Sequence, residues 1–419
     1  LIQIKRLDEG AVLLLEHVPT TDTVSIGFWF THGSRDEKNN EHGFSHFLEH
    51  MLFKGTEKRN AFKISQEIDR IGGVLNGFTE KECSCYYCTI PDNHISLAID
   101  VLGDIVFHSI LPEQEIEKEK SVVINEIQIS LDTPEEVSYD NYIAEMWNGH
   151  PLSNTITGRI DEVNAITREK LLYFYRERYI PLNLIIAVSG NFNPDSVTES
   201  IMEVLEGIGK GIFSTMRTKP IRRPSWKSIR DKFKQVHIYS GICDIPCKEI
   251  KDYYKILLFS TIFGESVSSR LYQMVREEEG LCYTIYSFRT YYSDSTQWTI
   301  YANTRSEIVT RLIHSIDNVL KGLFSHPISE EELLDAKSHL RGSLIIARED
   351  MEGRMKRLFK LYLISETILE FEDSIRMIEC VTLSDVEEKI QEIIKAENFN
   401  LLAFGNIKNS NVKGVRFTF

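Results

Sequence analysis

His46-Phe47-Leu48-Glu49-His50 is the stretch from which the rest of the chain can be read. On a helix, positions 46 and 50 lie one turn apart and position 49 sits beside them, so two imidazoles and a carboxylate project from one face. Such a face suits a divalent cation. Neutral imidazole nitrogens are good zinc ligands, and a catalytic zinc needs three protein ligands, an open position for water, and a nearby carboxylate outside the ligand set to take that water's proton. Glu49 suits the base role. The order His-x-x-Glu-His is the inverse of the more familiar zinc peptidase motif, and the competing reading is a pair of exposed surface histidines.

A third ligand is expected from the acidic helix predicted over residues 113–129. Glu119 and Glu126 are seven positions apart, close to two full turns, and so share a face. Glu126 stands among Val122, Val123, Ile124 and Ile127, where an unpaired carboxylate is costly and a cation would relieve the cost. Glu119 then reads as a supporting carboxylate that accepts a hydrogen bond from a ligand histidine or a nearby donor. Its plainer alternative is a solvated helix glutamate.

Upstream, residues 11–18 and the alternating Val24, Ile26, Phe28 and Phe30 read as an antiparallel hairpin turned at Pro19 to Asp22. Helices are predicted over 44–52, 61–71 (stopped by Gly72 and Gly73), 94–107, 113–129, 135–147 and 168–179, with strands at 74–78, 83–90 and 184–189. Residues 213–233 read as a solvated linker carrying Pro220, Pro224 and basic residues that include Arg217, Lys219, Arg222, Arg223, Lys227, Arg230 and Lys232; an anionic contact surface is the lesser reading.

The chain beyond the linker repeats the chain before it. The strand expected at 235–242 echoes 24–30, Gly280 before a hairpin echoes Gly73, a Ser329 to Glu332 capping box places 328–333 opposite 111–116, and 401–406 parallels 186–191. Two related domains are implied, a metal-binding one over 1–212 and a second over 234–419. Each interleaves hairpin strands with helices, so the expected fold class is α+β, with a mainly antiparallel sheet flanked by helices in each domain. The metal set does not repeat, because no histidine stands near residue 256 and the counterpart of Glu126 is Ser343.

Composition limits the function classes. The 419 residues carry 48 Lys+Arg against 62 Asp+Glu, a formal charge of −14, with 42% hydrophobic and 26% charged residues. A net acidic chain argues against nucleic acid or anionic lipid as the main partner. No apolar run reaches the roughly 18 residues that span a bilayer. Seven cysteines, an odd and sparse set, read as thiols in a reducing, cytoplasmic setting. Residues 1–6 lack secretory-signal features, though the chain does not begin with Met. Cys83, Cys85 and Cys88 are a weak metal cluster, since on a strand Cys88 points away from the other two, and His42 reads as a loop residue before Gly43.

Gly33-Ser34-Arg35, the block His46-Phe47-Leu48-Glu49-His50-Met51-Leu52-Phe53-Lys54-Gly55-Thr56, and Glu119 with Glu126 resemble the pitrilysin and insulinase zinc peptidases. The likeness is strongest to the branch of mitochondrial processing peptidase and its two-domain bacterial relatives. It implies His46, His50 and Glu126 as ligands of one Zn²⁺ per chain, Glu49 as general base and Glu119 as supporting carboxylate. Arg276 and Tyr283 match the family's Arg-x6-Tyr pair, which implies hydrogen-bond donors to a peptide carbonyl and its developing oxyanion. Asn76-Gly77-Phe78-Thr79 resembles the family's edge-strand segment, which implies Asn76, Gly77 and Phe78 as contacts for an extended peptide that adds as a further strand. The family commonly has Ala where Gly77 stands, and glycine is expected to loosen the strand.

The expected activity is therefore zinc-dependent endopeptidase action on extended or unfolded peptides, inside a chamber formed by a homodimer. The alternative is a noncatalytic core-type structural or peptide-binding subunit of a larger complex, although relatives of that kind lose parts of the metal motif. Residues 263–268 lack the multi-glycine loop of the presequence-recognising processing subunit, so cleavage of import signals is not expected.

Overall fold

A computed structural model of the protein describes residues 2–211, 216–222, 224–245, 247, 249–408, 412 and 415–419. It divides into two compact units, each taking one segment from the other half of the chain.

The first unit comprises Leu1–Ile129, Asn154–Arg217 and Ile346–Ile368. Its six strands are β1 (Ile2–Arg6), β2 (Val12–His17), β3 (Thr23–Phe30), β4 (Val74–Thr79), β5 (Ser84–Pro91) and β6 (Leu184–Gly190), in the order β1-β2-β6-β3-β5-β4. All neighbours are antiparallel except the parallel pair β2 and β6. The central strands β3 and β6 are predominantly apolar because both faces are covered. Val24, Ile26, Phe28 and Phe30 of β3 and Leu184, Ile186 and Val188 of β6 enter one core, together with residues of α1 (Phe44–Leu52), α2 (Ala61–Asp69), α3 (Ile95–Phe107) and α4 (Glu113–Asp132). Trp29, Ile185 and Ala187 point to the opposite face.

That second face is closed by the helix Met351–Ser365, which comes from the far half of the chain. Met355, Leu358, Phe359 and Tyr362 pack on Trp29, Ile185 and Ala187, and the Phe359 ring stacks on Trp29 with centroids 4.8 Å apart. Arg354 grips buried Glu16 with two hydrogen bonds, Nη2 to Oε1 at 2.7 Å and Nε to Oε2 at 3.0 Å, while Ser189 Oγ donates to Glu16 Oε2 at 2.8 Å. A paired, fully hydrogen-bonded charge of this kind is tolerated in a core where a lone one is not.

The second unit comprises Ser130–Ser153, Thr218–Ile345 and Leu369–Phe419. Its strands β7 (Trp226–Arg230), β8 (Val236–Ile242), β9 (Thr284–Tyr291), β10 (Thr296–Thr304) and β11 (Asn400–Gly405) lie in the order β7-β11-β8-β10-β9, with only β11 and β7 parallel. This reproduces β2-β6-β3-β5-β4. Here the borrowed helix is α5 (Pro134–Met146), whose Tyr142, Ile143 and Met146 meet Tyr239, Tyr301, Leu402 and Phe404.

The repeat is legible down to single residues. Val24 pairs with Gly190, and Val236 with Gly405. Both glycines have positive φ, 139° and 129°, and a Cβ on either would come within 2.3 Å of Thr23 O or 2.2 Å of Gln235 O. Only glycine fits there. After α2, however, the left-handed residue is Gly72 and not Gly73, so Gly72 is the conformational match of Gly280.

Residues 213–233 are not a plain solvated linker. Trp226–Arg230 form β7, bonded along β11, because the central strand β11 otherwise has an unpaired edge. Several of the basic side chains form ion pairs: Arg217 Nη2 reaches Asp36 at 2.7 Å, Lys219 Nζ reaches Asp244 at 2.6 Å, and Lys227 Nζ reaches Glu145 at 2.6 Å. Arg223 and residues 213–215 lie outside the described residues. All seven cysteines are free, with Cys83 and Cys85 in one core face and Cys88 in the other. Among the described residues no helix is long and apolar enough to cross a membrane.

Candidate metal centre

The site is assembled on α1 and α4. α1 begins at Gly43, whose φ of +83° turns the chain into the helix, and a Cβ there would come within 2.7 Å of Thr157 O. The carboxylate of Glu37 caps this end, accepting from the amides of Gly43 at 2.9 Å and Ser45 at 2.7 Å. Burial pushes the Glu37 pKa up to about 8 against the pull of those two amides. Phe47, Leu48, Met51 and Leu52 sink into the core, which leaves His46, Glu49 and His50 for the other side of the helix. In α4 the apolar Ile116, Val123 and Ile127 anchor the helix to the same core and aim Glu119 and Glu126 at α1.

The donor atoms converge. His46 Nε2 lies 3.4 Å from Glu126 Oε1 and His50 Nε2 lies 3.5 Å from Glu126 Oε2. One ligand atom from each of His46, His50 and Glu126 falls within 4.8 Å of the others, and these three form the metal-capable group among the described residues. Distances of this size are long for hydrogen bonds. They match the ligand-to-ligand edge of a tetrahedral zinc site, about 3.3 Å for bonds of roughly 2.0–2.1 Å. The residues present therefore fit a divalent ion.

Glu119 sets the chemistry of His50. It receives the Nδ1 proton of His50 on Oε1 at 2.8 Å, which fixes the tautomer that leaves the Nε2 lone pair for a metal. Lys54 Nζ holds the other oxygen, Oε2, at 2.7 Å. Burial alone would raise the Glu119 pKa, but the hydrogen bonds from His50 and Lys54 outweigh it and hold the carboxyl low. Burial likewise opposes a charge on His50, yet the Glu119 hydrogen bond and the nearby Glu49 and Glu126 charges raise its pKa. Glu126 is held low mainly by His46, against a smaller effect of burial.

Glu49 stays outside the ligand group and accepts a hydrogen bond on Oε2 from Thr79 Oγ1 at 2.6 Å. Thr79 ends β4, the outer strand of its sheet. Asn76 and Gly77 lie on this strand, and Asn76 Oδ1 accepts from the Gly77 amide at 2.8 Å. A Cβ on Gly77 would meet Phe53 and Cys85 O, each at 3.2 Å, so close packing as well as flexibility belongs to this glycine. Phe78 turns to the opposite face, against Tyr87 with ring centroids 6.2 Å apart and beneath Lys356 Nζ at 5.3 Å.

Arg276 and Tyr283 belong to the second unit and are brought together there. The Arg276 guanidinium lies 4.6 Å from the Tyr272 ring and 5.0 Å from the Tyr283 ring, and Tyr283 is 79% exposed. His42 is in a loop, 3.1 Å from Asn154 Nδ2, and takes no part in the cluster. Two functional neighbours escaped the reading of the sequence. Lys54 stands one helical turn beyond His50, a spacing that could have flagged it; Thr79 closes the edge-strand segment Asn76-Gly77-Phe78-Thr79, whose reading as a peptide-docking edge gives Thr79 no role of its own.

The chain matches the family described as Insulinase (Peptidase family M16) over residues 12–159, and the Peptidase M16 inactive domain over residues 165–340. An uncharacterized zinc protease of Bacillus subtilis is 34% identical over 83% of this chain and 85% of its own length. One from Mycobacterium leprae is 32% identical over 93% of this chain and 88% of its own. Among solved structures, a peptidase M16 inactive domain from Pseudomonas fluorescens shares the fold with a TM-score of 0.89 at 19% identity, covering 97% of this chain and 98% of that one. A Helicobacter pylori protease does so with a TM-score of 0.86 at 20% identity, covering 97% and 99%. With its His-His-Glu cluster in the half matched by the insulinase description, the chain belongs to the insulinase family of zinc proteases, peptidase family M16.

Proposed function

We propose that the protein is a zinc-dependent endopeptidase that hydrolyses extended or unfolded peptides within a chamber formed by two copies of the chain. The observation that carries this reading is the convergence of two imidazole nitrogens and the Glu126 carboxylate, with the separate carboxylate of Glu49 beside them. His46, His50 and Glu126 would hold zinc, which when bound would supply Lewis-acid polarisation and a more acidic water.

The protein's own groups do the rest. Glu49 takes the proton of the attacking water and passes it to the leaving amine. Glu119, locked by His50 and Lys54, keeps the His50 imidazole oriented. The outer edge of β4 offers main-chain groups to an extended peptide at Asn76, Gly77 and Phe78. Arg276 and Tyr283, stacked on each other, donate to the carbonyl oxygen as charge develops on it. The dimer is carried over from the resemblance to the processing-peptidase branch drawn from the sequence.

Glu49→Gln decides between this and a noncatalytic peptide-binding or core-type subunit. It should retain zinc and lose at least about 10²-fold in turnover of an unfolded protein substrate. A wild-type chain that holds zinc and binds peptide tightly without cleaving it would favour the noncatalytic role.

A further inference from the structure

Glu49 has two possible fates beside a metal. It follows His46 by three positions and precedes His50 by one, so its carboxylate can ligate the ion and close the open position, or stand clear and accept a proton. What keeps it clear must lie outside α1. Among the described residues its carboxylate has one hydrogen-bond partner, Thr79 Oγ1, 2.6 Å from Oε2. Thr79 ends the outer strand β4, opposite Ser84 of β5. On a strand, residues 77 and 79 face the same side, and the space above Gly77 is filled by Phe53 at the end of α1. The side of β4 that carries Thr79 is therefore the side that packs on the metal helix.

We propose that Thr79 is a positioning residue. Its hydroxyl holds Glu49 off the metal ligands with the second carboxylate oxygen free, and it ties the base to the strand on which a peptide would dock. This rests on the peptidase reading above for the role of β4, but the hydroxyl-to-carboxylate contact stands on its own. A peptide that adds to β4 is thereby placed in register with the base, through one residue that belongs to the docking strand and touches Glu49.

The test compares Thr79→Val, which keeps the branched strand side chain and removes the donor, with Thr79→Ser, which keeps the donor. Thr79→Val should lower kcat about tenfold or more with KM little changed, since a base displaced by a fraction of an ångström loses much of its effect. Thr79→Ser should restore most of the wild-type kcat. In the Co²⁺-substituted chain, the visible spectrum of Thr79→Val should shift as Glu49 reaches the metal, and adding Glu49→Gln should abolish the shift. If Thr79→Val fails to fold, Thr79→Ala against Thr79→Ser gives the same contrast. An unchanged kcat in Thr79→Val, equal losses in the Val and Ser variants, or a cobalt spectrum indifferent to Thr79 would each overturn the assignment. A wild-type chain without turnover defeats the peptidase reading alone, and the cobalt spectrum then decides on Thr79.

Discussion

His50 and Glu119 are joined by a 2.8 Å hydrogen bond from Nδ1 to Oε1, and the far oxygen of the same carboxylate is held by Lys54 at 2.7 Å. The metal-facing nitrogen of His50 is thus oriented through a chain of three side chains, two from α1 and its extension and one from α4. Partners of this kind govern ligand basicity and ring orientation as much as the ligands govern occupancy.

Removing this support should weaken the site without emptying it. Glu119→Gln is expected to lower zinc affinity by about 10- to 100-fold, and Lys54→Met by less, because Glu119 keeps its bond to His50. Competition against a chelator of known affinity measures both. Equal affinities for wild type and Glu119→Gln would refute the role of the bond. Glu126→Ala, which deletes a ligand, should abolish stoichiometric zinc in elemental analysis.

The borrowed helix Met351–Ser365 is part of the first unit's core. Phe359, stacked on Trp29 at 4.8 Å and 7% exposed, should cost about 3–5 kcal/mol when truncated to Ala, from lost burial and the cavity left behind. Urea unfolding followed by circular dichroism would show it. A loss below about 1 kcal/mol would mean that the helix does not stabilise the sheet it covers.

Acid should loosen the first unit through His32. His32 is fully buried, neither ring nitrogen has a hydrogen-bond partner among the described residues, and burial, with Arg178 and Arg217 adding to it, lowers its pKa from 6.5 to about 3. The unfolded chain therefore binds the proton more readily than the folded one, so stability is full above the unfolded value of 6.5 and declines as pH falls toward 3. In His32→Phe this slope should flatten in that interval. Parallel pH-stability curves for the two chains would contradict it.

On the proposed dimeric reading, the pair Arg276 and Tyr283 would serve the metal of the same chain or of a partner. If it acts across a dimer, mixing Glu49→Gln chains with Arg276→Ala chains should restore part of the activity that each lacks alone. Recovery absent from confirmed mixed dimers would place the pair in the same chain as the metal it serves.

Much was legible in advance because local periodicity carries it. The spacing of His46, Glu49 and His50 needs only helical geometry, and the helix runs over Phe44–Leu52 as predicted. Glu126 declared itself as a carboxylate among apolar neighbours, and the repeat showed in Gly190 and Gly405, where backbone crowding admits no side chain. The mainly antiparallel sheets follow from short alternating strands.

What only the tertiary structure decided is which distant segments meet. The exchange of α5 and Met351–Ser365 between sheets could not be read, because an apolar helix face specifies that it must be covered and not by which partner. The strand hidden in the basic stretch 213–233 is short and polar, and it forms because β11 needs a neighbour for its backbone groups. Lys54 on Glu119 and Thr79 on Glu49 belong to the same class. Residue order states what chemistry a side chain owns, whereas the pairing of a hydroxyl or ammonium with a carboxylate is set by how α1, α4 and β4 pack in three dimensions.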